Sequence, residues 1–283
     1  MASFQTTLRK RFPDLAADLD AVDRLLRREL GAGGRFLQEE ALRLLSAGGK
    51  RLRPVLVLGS ARLGDFDQGA ARALAAAVEA LHMATLVHDD IIDSADKRRG
   101  QDTSVHLHGV NLAVYTGDWL LVKSLQLLSG AGSATEIRTA VLHRLAEALE
   151  EVFTGEVDQY QGRGAIPTLD AYMDRIRGKT AALFAGACAA GAKSAGLEDG
   201  RVETAGRFGE AFGMAFQIRD DLMDLLESGD AIGKPASHDL EKGNVTLPIL
   251  MAAEADEGFR TDLSDYLDRW HGASGQAGGA GHL

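Results

Sequence analysis

The stretch Leu81-His-Met-Ala-Thr-Leu-Val-His-Asp-Asp-Ile-Ile-Asp93 restricts this chain more than any other. It continues an apolar, alanine-rich segment that begins near Ala70 and reads as a long helix ending in three carboxylates. A helix C-terminus already carries partial negative charge, so Asp89, Asp90 and Asp93 are repelled by the backbone dipole as well as by one another. Stability alone would place lysine there. With about 3.6 residues per turn, Asp89 and Asp93 share a face, and two carboxylates side by side on a rigid wall suit a hard divalent cation. Magnesium fits best, because it takes one or two carboxylates and leaves its other positions for water and phosphate oxygens. The same Asp-Asp-x-x-Asp spacing returns in Gln217-Ile-Arg-Asp-Asp-Leu-Met-Asp224, where Gln217, Asp220 and Asp224 form a stripe at i, i+3, i+7. One acidic cluster on a helix is usually a solvated face. Two of them, both set in apolar helical sequence, require charged partners or metal.

The chain has 283 residues, room for one large domain or two ordinary ones, and its 45% hydrophobic content is enough for a substantial core. A net charge of -10 argues against a nucleic-acid partner. Cys188, the single cysteine, cannot form an internal disulfide, which fits a reducing, cytoplasmic setting. No apolar run reads as a bilayer span, and Met1-Ala-Ser-Phe-Gln lacks the form of a signal peptide.

Five prolines and almost no strict alternation predict helix throughout. Helices are expected over 14–30, with Pro13 in the first turn, 35–46, 54–63 and 67–93, the last capped by Asp67. A polar loop over 94–104 separates these from a helix over 111–128. Ser133-Ala-Thr-Glu136 has the form of a capping box for a helix to about residue 162. Thr168 caps the next, to about 192, and 202–226 carries the second acidic motif. After a loop over 227–244, Pro248 opens a short helix, and a last one covers 261–270. No period of 20–50 residues repeats. The expectation is an all-α fold: a large single-domain helical bundle over 1–270, with the two acidic helices facing each other across a central cavity, and a flexible glycine-rich tail over 271–283.

Basic residues interleave with the acidic ones. Lys50, Arg51 and Arg53 stand just before a helix start, where free N–H groups and guanidinium forks favour an anion. Arg98 and Arg99 follow the first acidic motif within one short loop. Lys179, beside Thr180, sits in otherwise apolar helical sequence, where an unpaired lysine is costly, and Lys234 lies in the loop after the second motif. A diphosphate held through cations on one side and by lysine and arginine on the other fits this pattern. Walker, dinucleotide-binding and nucleophile-elbow motifs are absent. His88 falls on another face from His82 and reads as structural, and Cys188 as core.

The runs Gly48-Gly-Lys-Arg-Leu-Arg-Pro54, Asp89-Asp-Ile-Ile-Asp93, Arg98-Arg-Gly100, Gly117-Asp118, Gly155-Glu-Val-Asp-Gln159, Lys179-Thr-Ala181, Phe216-Gln-Ile-Arg-Asp-Asp-Leu-Met-Asp224, Gly233-Lys234 and Thr246-Leu-Pro248, in this order, resemble the trans-isoprenyl diphosphate synthases of the polyprenyl synthetase family. The resemblance implies condensation of isopentenyl diphosphate with an allylic diphosphate. It implies magnesium ligands at Asp89, Asp93, Asp220 and Asp224, with Asp90 and Asp221 supporting them, and three Mg2+ ions once diphosphate is bound. Lys50, Arg53, His82 and Arg99 would hold isopentenyl diphosphate; Arg98, Lys179, Thr180, Gln217 and Lys234 would hold the allylic diphosphate. Short-chain members place a bulky aromatic about one turn before the first motif. Ala84 and Thr85 are small, so the growing chain would pass toward Leu81 and Val78. That implies a product of roughly C30 or more, as in the catalytic subunits of hexaprenyl and heptaprenyl synthases. A homodimer, or a heterodimer with a small regulatory subunit, and weak membrane association through the lipid product are expected. Asn244 stands where most members have lysine, and the likeness fades after about Ala253. A medium-chain farnesyl or geranylgeranyl synthase and a subunit active only with a partner are the alternatives; a terpene cyclase would not need Lys50, Arg53 and Arg99, and a carboxylate di-iron bundle would want Glu-x-x-His pairs.

Overall fold

The computed structural model describes residues 4–130, 134–229 and 238–278. Where the sequence reads as one domain, the chain gathers into two compact units, the first from Met1–Glu147 and Leu183–Gly209, the second from Ala148–Ala182 and Glu210–Leu283. The expected all-helical class is observed.

The first unit contains α1 (Phe4–Arg11), α2 (Pro13–Leu30), α3 (Arg35–Ser46), α4 (Leu52–Ala61), α5 (Gln68–Ile92) and α6 (Ser104–Gly130). It also holds the first part of α7 (Thr135–Gln161), nearly all of α9 (Ala182–Ser194) and the start of α10 (Asp199–Gly229). Its centre is α5. Asp67 caps that helix, its side chain accepting from the Ala70 amide at 3.0 Å. Leu74, Ala75, Ala76, Ala77, Val78, Ala80 and Ala84 are all buried. Alanine on every side lets neighbours come close, and Ser124 of α6 donates to the Ala77 carbonyl at 2.9 Å. Contrary to the sequence reading, α5 is long and apolar enough to cross a membrane by length and composition, but most of it is buried among the other helices of this unit. An apolar surface on all sides of a helix is what a core position demands. Asp18 on α2 is 1% exposed and takes hydrogen bonds from Arg62, Gln68 and Arg72, which ties α2 to α4 and α5.

Three features of this unit escape the sequence pattern. α1 is short and strongly basic, with Leu8 its single buried residue, and Arg9 fixes it to α2 by a two-pronged pair with Asp20 at 2.7 and 2.8 Å. The loop expected over 94–104 folds into a two-residue antiparallel ladder, β1 (Lys97–Arg98) with β2 (Gln101–Asp102). α6 begins at Ser104 rather than 111 because Gly109, at φ 79°, joins two helical stretches across a kink.

The second unit contains the rest of α7 and of α10, α8 (Leu169–Ile176), a π-helical turn (Arg177–Ala181), α11 (His238–Glu241), α12 (Leu247–Ala255) and α13 (Glu257–Gly278). Thr168 caps α8 as expected, accepting from the Ala171 amide at 3.2 Å. Tyr172, Ile176, Val245, Leu250 and Leu267 form its core. The helix expected over 261–270 is longer on both sides. α13 therefore includes residues 271–278 of the expected flexible tail, while 279–283 and Ser133 of the expected capping box lie outside the described residues. Trp270 of α13 donates to the Glu241 carbonyl at 2.9 Å and packs on Gly243.

Gly191 on α9 meets α4 backbone to backbone, and a Cβ there would collide with the Val57 carbonyl. Gly191→Ala is expected to lower unfolding stability by about 1–3 kcal/mol, read from urea denaturation; an unchanged midpoint would contradict this packing.

Candidate active site

In the first unit the end of α5 carries Asp89 and Asp90, with Asp93 as its C-cap. The middle carboxylate, Asp90, is 3% exposed and accepts from Arg98 Nε at 2.7 Å. Arg98 reaches it because the β1–β2 hairpin folds back on the helix end: the Ala95 amide donates to the Asp90 carbonyl at 2.9 Å, and Thr103 Oγ1 donates to the Ala95 carbonyl at 2.5 Å. Asp89 and Asp93, one turn apart, are only partly buried. Arg98, expected on the allylic diphosphate, is thus already engaged with the motif itself.

Arg99 follows at φ 52° and its guanidinium donates to the Gly48 carbonyl. Gly49 makes that approach possible, since a Cβ there would lie 2.7 Å from Arg99 Nη1. Arg51 anchors the same loop, donating to Glu79 at 2.6 Å and to the Leu45 carbonyl at 2.8 Å. Arg53 lies against the Phe184 ring, 4.2 Å from its centroid, with Nη1 2.9 Å from His82 Nε2. Burial pulls the Arg53 guanidinium down to about 10. Burial, with Arg53 and Arg99 nearby, holds His82 well below the usual imidazole range. His82 is therefore neutral near pH 7, and because arginine has no acceptor, its Nε2 accepts from Arg53. Arg53 Nε is buried without a hydrogen-bond partner. Lys50 is exposed at the mouth of this loop, and a pocket opens beside it, lined by Arg51, Glu79, His82, Met83, Arg98 and Arg99. The four groups expected at one anion site thus lie on two touching loops (Lys50 and Arg99), the first turn of α4 (Arg53) and α5 (His82).

His88 has the structural role expected of it. Its Nε2 lies 3.4 Å from Asp118 Oδ1, and its ring fills the space where a side chain at Gly117 would stand. Leu81, Ala84 and Thr85 are all buried, and Thr85 donates its hydroxyl to the His82 carbonyl at 2.9 Å.

In the second unit the pattern repeats with different chemistry. Asp221 is 4% exposed and accepts from Tyr172 Oη and Gln217 Nε2, both at 2.7 Å. Burial raises its pKa, against the pull of those two donors. Thr180 Oγ1 in turn donates to Gln217 Oε1 at 2.7 Å. Thr180 and Gln217, expected on substrate, form a relay that ends on the buried aspartate. Asp220 and Asp224 remain partly exposed. Lys179 sits in the π-helical turn, where an unbroken helix was expected, with its Nζ 2.8 Å from Glu156. Such single π turns concentrate at functional sites. Lys234 lies outside the described residues.

Four residues without an assigned role join this group: Glu156, Tyr172, Arg175 and Asp239. Asp239 donates its amide to Asp224 Oδ2 at 3.4 Å, and burial first, then Asp224 and Asp221, push its carboxyl up to about 6. Buried Arg175 donates to the Val245 carbonyl at 2.7 Å. Asp239 falls within the stretch 227–244 that the sequence reads as a loop, and lies in the short helix α11. Tyr172 and Arg175 could have been found as polar positions on the buried face of an amphipathic helix.

Both motifs thus divide their carboxylates in the same way. The middle one is buried and answered by protein donors; the outer two stand a turn apart and reach solvent. Among the described residues, no three His, Cys, Asp or Glu side chains gather into a closed metal cage. Two outer carboxylates per motif fit magnesium, which completes its shell with water and phosphate oxygens, and would suit a zinc or calcium cage poorly.

This geometry defines an all-helical protein with two aspartate-bearing helices and separate cationic clusters. Residues 35–276 match the polyprenyl synthetase family. The chain is 42% identical over 91% of its length to "Heptaprenyl diphosphate synthase component 2" of Geobacillus stearothermophilus, covering 79% of that protein. Its fold is similar to the crystal structure of heptaprenyl diphosphate synthase from Staphylococcus aureus, with a TM-score of 0.81 and 30% identity, covering 93% of this chain and 89% of that one. It is also similar to a polyprenyl synthase from Caulobacter crescentus complexed with calcium and isoprenyl diphosphate, with a TM-score of 0.77 and 31% identity, covering 95% and 84%. The chain belongs to the polyprenyl synthetase family.

Tyr172→Phe removes a donor to a buried carboxylate and is expected to cost about 1–3 kcal/mol of stability, measured by urea unfolding. Tyr115→Phe, at a 66% exposed side chain, should cost nothing; equal effects would contradict the role given to the Tyr172 hydroxyl.

Proposed function

We propose that this chain condenses isopentenyl diphosphate head to tail with an allylic diphosphate and releases a long-chain all-trans polyprenyl diphosphate. The observation that carries this reading is the shared division of the two aspartate motifs, in a chain that also has a second, separate anion cluster around Arg53 and His82. The C–O bond of the allylic substrate breaks and its electrons leave with the diphosphate. The double bond of isopentenyl diphosphate then forms the new C–C bond, and loss of a proton from the adjacent carbon restores a double bond.

Asp89, Asp93, Asp220 and Asp224 would hold magnesium, which supplies Lewis-acid stabilisation of the departing diphosphate. Asp90 and Asp221 fix the two helix segments by their bonds to Arg98 and to Tyr172 and Gln217. Lys179 would set fixed positive charge against the negative charge that grows on the leaving group, the arrangement that usually contributes most to such a step, with Thr180 beside it and its hydroxyl proton engaged by Gln217. Lys50, Arg53 and Arg99 bind the other diphosphate, and neutral His82 donates through Nδ1 without adding charge. That second cluster favours condensation over cyclisation, which uses one diphosphate.

Ala84 and Thr85 support a long product over a farnesyl- or geranylgeranyl-length one. The name of the Geobacillus relative, a "component 2", supports a heterodimer with a small regulatory subunit, with a homodimer as the simpler form. An exposed apolar stripe on α6, interrupted by Asp118, offers a surface for either: Leu107, Val110, Val114, Tyr115, Val122 and Leu125. We place the protein in the cytoplasm, with the lipid product drawing it weakly to membranes.

The test is incubation of the purified chain with isopentenyl and farnesyl diphosphates and Mg2+, followed by product sizing. Chain extension that stops on adding a chelator is expected. Extension that appears only with a second subunit would give the two-component form, and none under either condition would overturn the reaction. Thr85→Phe is expected to shorten the product, and an unchanged length would refute the open floor.

A further inference from the structure

Glu156 lies in the run Gly155-Glu-Val-Asp-Gln159 on α7, and the reaction as described gives it no part. Both its carboxylate oxygens stand 2.8 Å from Lys179 Nζ. The two side chains are 12% and 24% exposed, so the pair is largely withdrawn from water. Their backbones are locked together as well. At Gly155 a Cβ would collide with the Lys179 amide and lie 3.1 Å from Gly178 Cα; at Gly178 one would lie 3.0 Å from the Glu151 carbonyl. Two glycines thus let α7 and the π turn touch main chain to main chain. The stems of Glu156 and Lys179 therefore start from adjacent points that cannot slide past each other.

We propose that Glu156 is a positioning residue for Lys179, resting on the reading of Lys179 as a diphosphate-holding group. A lysine side chain is flexible and its ammonium is a rotating three-donor point charge, so the π turn alone does not decide where the charge sits. The Glu156 carboxylate takes up to two of the three N–H groups and leaves at least one, in a fixed direction, for an incoming phosphate oxygen. A charge aligned before the reaction counts most when negative charge develops on the leaving group. Loss of Glu156 therefore lowers kcat more than it raises KM.

The experiment compares the wild type with Glu156→Ala, Glu156→Gln, Lys179→Ala and the double variant Glu156→Ala with Lys179→Ala. Glu156→Ala is expected to lower kcat about tenfold and to change the allylic KM by less than about twofold. Glu156→Gln keeps an oxygen acceptor for the ammonium and should recover most of that loss. In the Lys179→Ala background, Glu156→Ala should cost nothing more. Wild-type kcat in Glu156→Ala would overturn the proposal, and so would the same fractional loss with and without Lys179. If Glu156→Ala does not fold, Glu156→Met, which fills the space without an oxygen acceptor, and its combination with Lys179→Ala carry the same comparison, with the loss expected only when Lys179 is present. A wild type without turnover, alone and with a second subunit, would remove the reaction itself; an active wild type with an indifferent Glu156 would remove this inference alone.

Discussion

A carboxylate cannot be buried in a helical interior unless something answers its charge, and this protein meets that condition twice at the same point of two motifs. Asp90 has Arg98, and Asp221 has Tyr172 and Gln217. Removing one partner of such a group leaves a desolvated charge whose cost exceeds what the intact contact contributes. Each buried aspartate therefore fixes what surrounds it. Through Arg98 the first holds the hairpin that also presents Arg99; through Gln217 and Thr180 the second holds the π turn that presents Lys179. The outer aspartates of each motif are left toward solvent.

The same logic explains why so little of the machinery is loose. α5 is alanine on most sides, which brings α6 close enough for Ser124 to bond the Ala77 carbonyl. Gly49, Gly117 and Gly155 each stand where a Cβ would strike a polar side chain or its backbone: Arg99, His88 and Lys179 respectively. At Gly117 and Gly155 a glycine is required by what packs on it rather than by a turn; at Gly49 the positive φ of 153° requires it as well. Backbone contact makes the position of a charged group a property of the fold, and fixed charge is what diphosphate departure needs.

Much of this was legible in the chain itself. The helical class, the caps at Asp67 and Thr168, and the boundaries of α2 and α3 follow from local rules. The acidic and basic groups could be listed because their spacing is short-range. The division of labour within each Asp-Asp-x-x-Asp run could not, because sequence spacing does not say which carboxylate turns inward; that depends on Arg98 and Tyr172, which come from other elements. The π turn was hidden because Arg177–Ala181 has ordinary helical composition, and the close approach of Gly178 to α7 involves residues far apart in sequence. Asp239 was hidden because its surroundings are set by Asp224, a residue distant in sequence, beside the short helix α11. α13 outran expectation because alanine favours a helix and glycine weakens one without forbidding it.

The proposed reaction requires both aspartate motifs to serve one diphosphate. The most direct measurement is calorimetric titration of inorganic diphosphate, in the presence of Mg2+, into the wild type, Asp93→Asn, Asp224→Asn and the double variant. Binding lost to a similar degree in each single variant, with little further loss in the double, is the result expected of one shared site. Two partial losses that simply add would show two independent sites, and the shared leaving-group site would have to be given up.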